Sequence, residues 1–263
     1  MKPTALQFSK VSTVTHSAAV PVSYPWLMLI SRPVLFLLFQ LLIALALALA
    51  GTPSARGAFQ ASTRWWTFMA FLANIVSVYL LVRVFNAEGK RYLDVIRFSR
   101  ATVKTDLLWF FGSSLIGMPI AAAPMNILGA AIFGDPMTPT YMLFQPLPTW
   151  AFALSFLFPL TIAFAELPTY FGYVMPRLAH PLKNGWLAWS IASLGLAAQH
   201  MFLPLILDGG FILWRLGMYL PFAFYAGLMI KLRPSLLPYY MVVHALMDIS
   251  AVAVYMMIPG LIA

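Results

Sequence analysis

The sequence predicts an all-α protein, a polytopic transmembrane helical bundle of about seven spans, within a range of about six to eight. Of its 263 residues, 62% are hydrophobic and only 9% are charged. A soluble domain has about 45–50% apolar and about 25% charged residues. The apolar residues also gather into runs of about 20, the length that crosses a hydrocarbon core of ~30 Å. Membrane lipid is therefore the first predicted partner.

Residues 1–25 are predicted to form a polar cytoplasmic arm, and residues 26–263 a single integral membrane domain. The first apolar run, 26–51, contains VLFLLFQLLIALALALAG. Its length and its long polar preface favour an uncleaved anchor over a signal peptide. Further spans are predicted at 66–84, 107–133, 149–175, 186–207, 210–230 and 236–258. Pro119 and Pro124 could break the third of these spans into pieces.

Basic residues gather in alternate connections between the predicted spans. One side carries Lys90, Arg91, Arg97, Arg100, Lys104, Arg177, Lys183, Lys231 and Arg233. The other side carries Arg56 and Arg64. This bias predicts a cytoplasmic N-terminus, and segment 87–104 is predicted to be an amphipathic helix on the cytoplasmic interface. Orientation and anionic lipid account for the net charge of +9, so no nucleic-acid partner is predicted.

Four ionisable residues stand out because a charge near the bilayer centre costs about 2.5–3.5 kcal/mol on insertion scales. Glu166 lies in the fourth predicted span, His200 in the fifth, and His244 and Asp248 in the seventh. The last two belong to MVVHALMDIS and share a helix face because they are four residues apart. At a rise of 1.5 Å per residue, Glu166, His244 and His200 lie about 15, 12 and 21 Å from the cytoplasmic side. These depths predict one shared polar cavity.

A structural explanation exists for each of these polar groups taken singly. An intramembrane histidine can simply make a hydrogen bond between helices. Arg215, near the start of the sixth span, is predicted to be structural, either snorkelling to the interface or pairing with Asp208.

Together, the four groups suit the hydrolysis of a peptide bond inside a membrane. A carboxylate and an imidazole can hold a water and take its proton as it attacks a carbonyl. A second imidazole beside a carboxyl group can stabilise the oxyanion. The HExxH motif of metalloproteases is absent, as are the GxSG motif of serine proteases and the GxGD motif of aspartyl proteases. The segment GSSL at 112–115 only approaches GxSG. The lack of cysteine excludes thiolate catalysis.

Three segments, taken in order, resemble the CPBP family of intramembrane proteases, also called the Abi or CAAX-protease family, which includes the type II CAAX prenyl endopeptidase. That family carries EExxxR, FxxxH and HxxxN or HxxxD on successive transmembrane helices. Here the third motif is HALMD, from His244 to Asp248, and the second is LAAQH, with Leu196 in place of phenylalanine and His200 retained. The first segment, 166–178, reads ELPTYFGYVMPRL, against the family's EELLFRGYLLPRL. The resemblance covers about residues 150–260.

The first motif departs from the family pattern in either of two registers. Alignment on the shared glycine and PRL puts Glu166 at the first glutamate, Leu167 at the second and Phe171 at the arginine. The other register puts Ala165 and Glu166 at the glutamates and Tyr170 at the arginine, and it misaligns the glycine; we prefer the first. Loss of both partners of a buried ion pair costs little, which suggests that the lost pair was structural. Tyr170, four residues after Glu166, is a candidate to orient that carboxylate.

The resemblance implies that Glu166 and His200 activate water while His244 and Asp248 hold the oxyanion. The same four residues could ligate zinc, but they suffice without it, and we expect no obligatory metal. The implied substrate is a membrane-associated protein or peptide, of which a prenylated tail is one possibility, and the expected location is a bacterial inner membrane. Two other functions stay open: a non-cleaving scaffold, immunity or regulatory factor, and a proton-coupled transporter, although the sequence lacks the internal repeats of many transporters.

Overall fold

The computed structural model describes residues 21–258, together with Gly260 and Ile262. Most of the predicted cytoplasmic arm, 1–25, lies outside the described residues, and its last three residues already belong to the first helix. The structure is 82% helical, the described part of the chain contains no strands, and the all-α prediction is confirmed. Its helices are α1 (Ser23–Leu49), α2 (Ala55–Ser62), α3 (Trp66–Ala87), α4 (Tyr92–Val95), α5 (Val103–Phe133), α6 (Thr138–Leu143), α7 (Thr149–Ser155), α8 (Leu157–Leu167), α9 (Met175–Ala179), α10 (Gly185–Gln199), α11 (Gly209–Leu232) and α12 (Leu237–Met257).

Within the described residues, six helical stretches are long and apolar enough to cross a membrane, which makes this an integral membrane protein. They are Ser23–Leu49, Ala55–Ala87, Val103–Phe133, Thr149–Ala179, Gly209–Leu232 and Pro234–Met257. The predicted span 186–207 does not reach this length, because α10 has only 15 residues before a 3₁₀ turn. A helix of that length spans about 22 Å. Pro119 and Pro124 do not break the third span, because both lie inside the continuous α5.

The short helix α10 nevertheless reverses the direction of the chain. Near its start, the Trp189 indole donates to the Phe224 carbonyl, late in α11. At its end, the His200 carbonyl accepts from Arg215, early in α11. The start of α10 thus lies beside the end of α11, and the end of α10 lies beside the start of α11, so the two helices are antiparallel. The part of the bundle that the structure describes has six long passes and one short pass, in alternating directions.

The basic connections meet at one end of the bundle, here called the basic end. Arg177, after α8, pairs with Glu88 at the end of α3. Arg233, after α11, pairs with Asp106 in the first turn of α5. The described basic side chains at or near this end are Arg83, Lys90, Arg91, Arg97, Arg100, Lys104, Arg177, Lys183, Lys231 and Arg233. The charge bias predicted from the sequence is therefore a bias between the two ends of the fold.

The predicted interfacial helix over 87–104 is wrong in extent. Only Tyr92–Val95 is helical before α5 begins at Val103. Gly89 reverses the chain with φ +69°, a conformation that suits glycine because it has no Cβ. The segment is then fixed by its side chains, since the Tyr92 hydroxyl donates to the Phe164 carbonyl and the Phe98 ring packs on Tyr239.

A buried polar layer divides the bundle between two apolar clusters. The cluster toward the basic end includes Met28, Leu81 and Leu167, and the other cluster includes Phe36, Trp66 and Phe158. Helices α1, α3, α8 and α12 each pass from one cluster to the other at a buried polar residue, and α10 does so together with the 3₁₀ turn that follows it. These residues are Arg32, Asn74, Glu166, Gln199, His200 and His244. Buried polar groups need partners, and some of them find these within the layer, since Arg32 donates to both Gln199 and Asn74.

Candidate active site

Four predicted residues meet in the polar layer. The Glu166 Oε2 atom lies 3.8 Å from His200 Nε2, and Glu166 Oε1 lies 3.4 Å from His244 Nε2. The other neighbour of His244 Nε2 is Asp248 Oδ2, at 3.1 Å. All four residues line one cavity of about 430 Å³. Three helical segments that are distant in sequence therefore place two carboxylates and two imidazoles within reach of one small molecule.

Local backbone structure places Glu166 and His200 at the ends of helices. Glu166 lies in the last turn of α8, and a π-helical turn, Pro168–Val174, follows it. Pro168 has no N–H to donate, and π turns inside helices are frequent at functional sites. His200 follows α10 directly and opens a 3₁₀ turn. His244 and Asp248, in contrast, lie in the middle of α12 and face the cavity from successive turns.

The surroundings of the two imidazoles favour opposite roles for them. The Nδ1 atom of His200 lies 2.9 Å from the Leu196 carbonyl, and its ring stacks on Tyr219 with a centroid distance of 3.5 Å. A carbonyl only accepts, so Nδ1 carries the proton and Nε2 faces Glu166 as an acceptor. The Nε2 atom of His244 lies between two carboxylates, where a proton on that nitrogen is favoured. His200 is thus an acceptor toward the cavity and His244 a donor.

A fifth ionisable residue, Arg32 of α1, completes the site. Its side chain is fully buried, and its Nη2 atom lies 3.5 Å from Glu166 Oε2. Its Nε donates to Gln199 Oε1 at 2.7 Å, and its Nη1 donates to Asn74 Oδ1 at 3.0 Å. The guanidinium is therefore held rigidly beside the carboxylate. Sequence reasoning missed Arg32, although it is an ionisable residue within the first predicted span and the criterion that selected Glu166 would have found it.

Tyr170, the candidate to orient the Glu166 carboxylate, has a different hydrogen-bond acceptor. The Tyr170 hydroxyl donates to Gln199 Oε1 at 3.3 Å instead. Gln199 also accepts from Arg32, so Tyr170 reaches Glu166 only through two intervening side chains.

Arg215 has a structural role, but not the role that the sequence predicts. It is buried and donates to the carbonyls of His200 and Leu203, which end the short helix α10. Asp208, its predicted partner, instead caps α11 by accepting from the Phe211 N–H. Arg215 thus fixes the turn that carries His200 and does not snorkel, because the carbonyls of this turn lack helical partners.

Several polar atoms at the site have no hydrogen-bond partner within the described part of the chain. They are Arg32 Nη2, Glu166 Oε1, His244 Nδ1 and Asp248 Oδ2. Buried unpaired groups of this kind cost free energy unless a ligand or water joins them. Among residues 21–258, 260 and 262, no group of three or more His, Asp or Glu side chains has the geometry of a metal site. In addition, Arg32 already presents a cation to the carboxylate that zinc would use.

No protein-family model matches the chain, and no match is found among the curated proteins or the solved structures. The resemblance to the CPBP motifs therefore depends on the residues of this sequence. At the positions where the preferred register departs from the family motif, Leu167 and Phe171 are buried in the apolar cluster toward the basic end.

Proposed function

We propose that the protein is a CPBP-type intramembrane endopeptidase, which hydrolyses peptide bonds of membrane-associated substrates with Glu166 as the base. The observation that carries this proposal is the position of the Glu166 carboxylate, 3.8 Å from one imidazole and 3.4 Å from another, at a cavity between membrane helices. This arrangement supplies a base, an electrophilic donor and room for a reacting group.

The first step is the activation of water by Glu166 and His200. Both Glu166 Oε2 and His200 Nε2 accept hydrogen bonds, so a water between them would donate one hydrogen to each. As the water oxygen attacks the scissile carbonyl carbon, its proton passes to Glu166. The same proton is then available to the leaving nitrogen when the carbon–nitrogen bond breaks. A positioned base of this kind contributes typically about 10²–10⁴-fold.

The second element is the stabilisation of the tetrahedral oxyanion by His244. In this proposal the His244 imidazole donates to the developing charge through Nδ1, which has no partner within the described residues. The Asp248 carboxylate, 3.1 Å from His244 Nε2, orients the ring through the other nitrogen. Asp248 thus acts through His244.

Arg32 is proposed as the positioning residue for Glu166. The family motif carries an arginine five residues after its first glutamate, and Phe171 occupies that position here. The buried guanidinium of Arg32 offers the same charge from another helix. This supports the interpretation that the chain retains hydrolysis despite its altered first motif.

We place the protein in a bacterial inner membrane with its basic end in the cytoplasm, because the positive residues concentrate there. The substrate would be an apolar segment of a protein or peptide, since the cavity walls beside Glu166 include Met118, Ala122 and Phe222. Nothing in the wall selects a prenyl group over other apolar chains.

The test is cleavage of a membrane-tethered peptide library by the purified protein. Wild type should cleave, and Glu166→Gln should lower the rate by about 10²-fold or more. Asp135→Asn is the matched control, because Asp135 accepts from Thr138 in a connection away from the site, and it should cleave like wild type. Chelator treatment in each arm measures any dependence on zinc. A folded wild type that cleaves nothing would contradict the proposal and favour the non-cleaving interpretation.

A further inference from the structure

A second cavity lies at the basic end, apart from the candidate active site. Its volume is about 910 Å³ and it is partly open to the outside. Its walls come from the segment between α4 and α5, from α9, and from the facing ends of α11 and α12. None of the four predicted site residues lines it.

The polar part of this cavity carries excess positive charge. Arg97, Arg100 and Lys231 line it, with Asp94 as the one carboxylate among the lining residues. That carboxylate is already shared, because both Arg91 and Arg97 approach it at about the same distance, 3.4 and 3.5 Å. The Lys231 ammonium lies over the Trp186 ring, 4.6 Å from its centroid. Within the described part of the chain, neither Arg100 nor Lys231 has an ion-pair partner.

Two other basic residues at the same end are neutralised by buried carboxylates. Arg177 pairs with the buried Glu88, and Arg233 pairs with the buried Asp106. Arg100 and Lys231, which have no ion-pair partner within the described residues, therefore leave net positive charge at the cavity, and an anion would be attracted to it.

The rest of the cavity is apolar. Its walls include Val95, Phe98, Phe171, Met175 and Leu237. A soluble phosphate would leave these side chains uncovered. An amphiphile would cover them with its hydrocarbon while its anionic head met the basic residues.

We propose that this cavity is a binding site for one anionic phospholipid from the leaflet at the basic end. Arg97, Arg100 and Lys231 hold the headgroup phosphate, and the glycerol and first acyl carbons lie against Phe98 and its apolar neighbours. The volume, the sign of the charge and the position at the membrane surface all match this ligand. The inference is independent of the proposed proteolysis.

The experiment is native mass spectrometry of the full chain from nanodiscs of phosphatidylcholine with phosphatidylglycerol. Wild type should retain one phosphatidylglycerol in preference to phosphatidylcholine. The triple variant Arg97→Gln, Arg100→Gln and Lys231→Gln should reduce that retention by about tenfold or more. A matched control removes three charges at the same end but outside the cavity lining, namely Arg83, Lys104 and Lys183, each changed to Gln. The control should retain the lipid like wild type.

A steric variant tests the site without changing its charge. Ala179 lines the cavity, and Ala179→Trp should displace the lipid while all basic residues remain. Equal loss in the charge control would show general attraction to the surface and would overturn the proposal. Retention by Ala179→Trp would do the same. Displacement by inorganic phosphate would indicate a soluble-anion site, displacement by a short polyglutamate peptide a peptide site, and either result would also overturn it.

Discussion

The interaction between Arg32 and Glu166 is testable by a double-mutant cycle. Both side chains are almost completely buried, and their charged atoms are 3.5 Å apart. Arg32→Gln leaves the Glu166 carboxylate without its guanidinium, and removal of one partner of a buried pair costs about 3–5 kcal/mol. Glu166→Gln should cost less, because Arg32 keeps its hydrogen bonds to Gln199 and Asn74.

The double variant should be more stable than the sum of the two single effects predicts. With both charges removed, no uncompensated charge remains, and contacting residues couple by about 0.5–3 kcal/mol. We expect a coupling free energy of about 2 kcal/mol at this distance. The double variant would then lie close in stability to Arg32→Gln alone.

The assay is reversible unfolding in mixed micelles, followed by the fluorescence of the eight tryptophans. Arg177→Gln is the matched control, because Arg177 pairs with Glu88 at the basic end. Combined with Glu166→Gln, it should be additive within about 0.5 kcal/mol. Additivity of Arg32→Gln with Glu166→Gln would refute the assignment of Arg32 as the partner of this carboxylate.

Three further predictions concern the scaffold of the site. Tyr170→Phe should lower the free energy of unfolding by about 1 kcal/mol, for one lost hydrogen bond, with cleavage unchanged; a tenfold loss of activity would restore a direct role for Tyr170. Gly227→Ala should destabilise by about 1–3 kcal/mol because its Cβ would lie 2.6 Å from a Phe171 ring carbon, and an unchanged melting temperature would contradict this packing. Burial would raise the pKa of Glu88, but Arg177 holds that pKa below its ordinary value of 4.5. The stability from this pair is therefore present above about pH 4.5 and lost as the pH falls through the folded-state pKa, and Arg177→Gln should remove that dependence.

The fold was predictable because lipid imposes a strong constraint on sequence. Backbone polar groups in a bilayer must be satisfied within the segment, so long apolar runs specify helices, and six such runs became the six long helices. The fifth predicted span was misjudged because composition does not show where a helix stops. In the structure, α10 ends where Arg215 takes up the carbonyls of His200 and Leu203, a contact between helices that a single run of sequence does not contain.

The candidate site was predictable in part, and for a related reason. Glu166, His200, His244 and Asp248 were selected because ionisable groups in apolar runs are costly. The same criterion applied to Arg32, but the family resemblance covers only about residues 150–260 and indicates no cation from α1. The pairing of Arg32 with Glu166 joins residues that are distant in sequence, and such pairings depend on how the helices pack. The partner of Tyr170 could not be predicted, because helical spacing gives a shared face and not the identity of the acceptor.

The most direct test of the central claim is cleavage of one identified substrate in water enriched in ¹⁸O. Hydrolysis through a Glu166-activated water predicts one ¹⁸O atom in the newly formed carboxyl terminus. It also predicts a rate that falls by about 10²-fold or more in Glu166→Gln. Equal cleavage rates for wild type and Glu166→Gln, with the protein correctly folded, would contradict the account and assign the activity to another site.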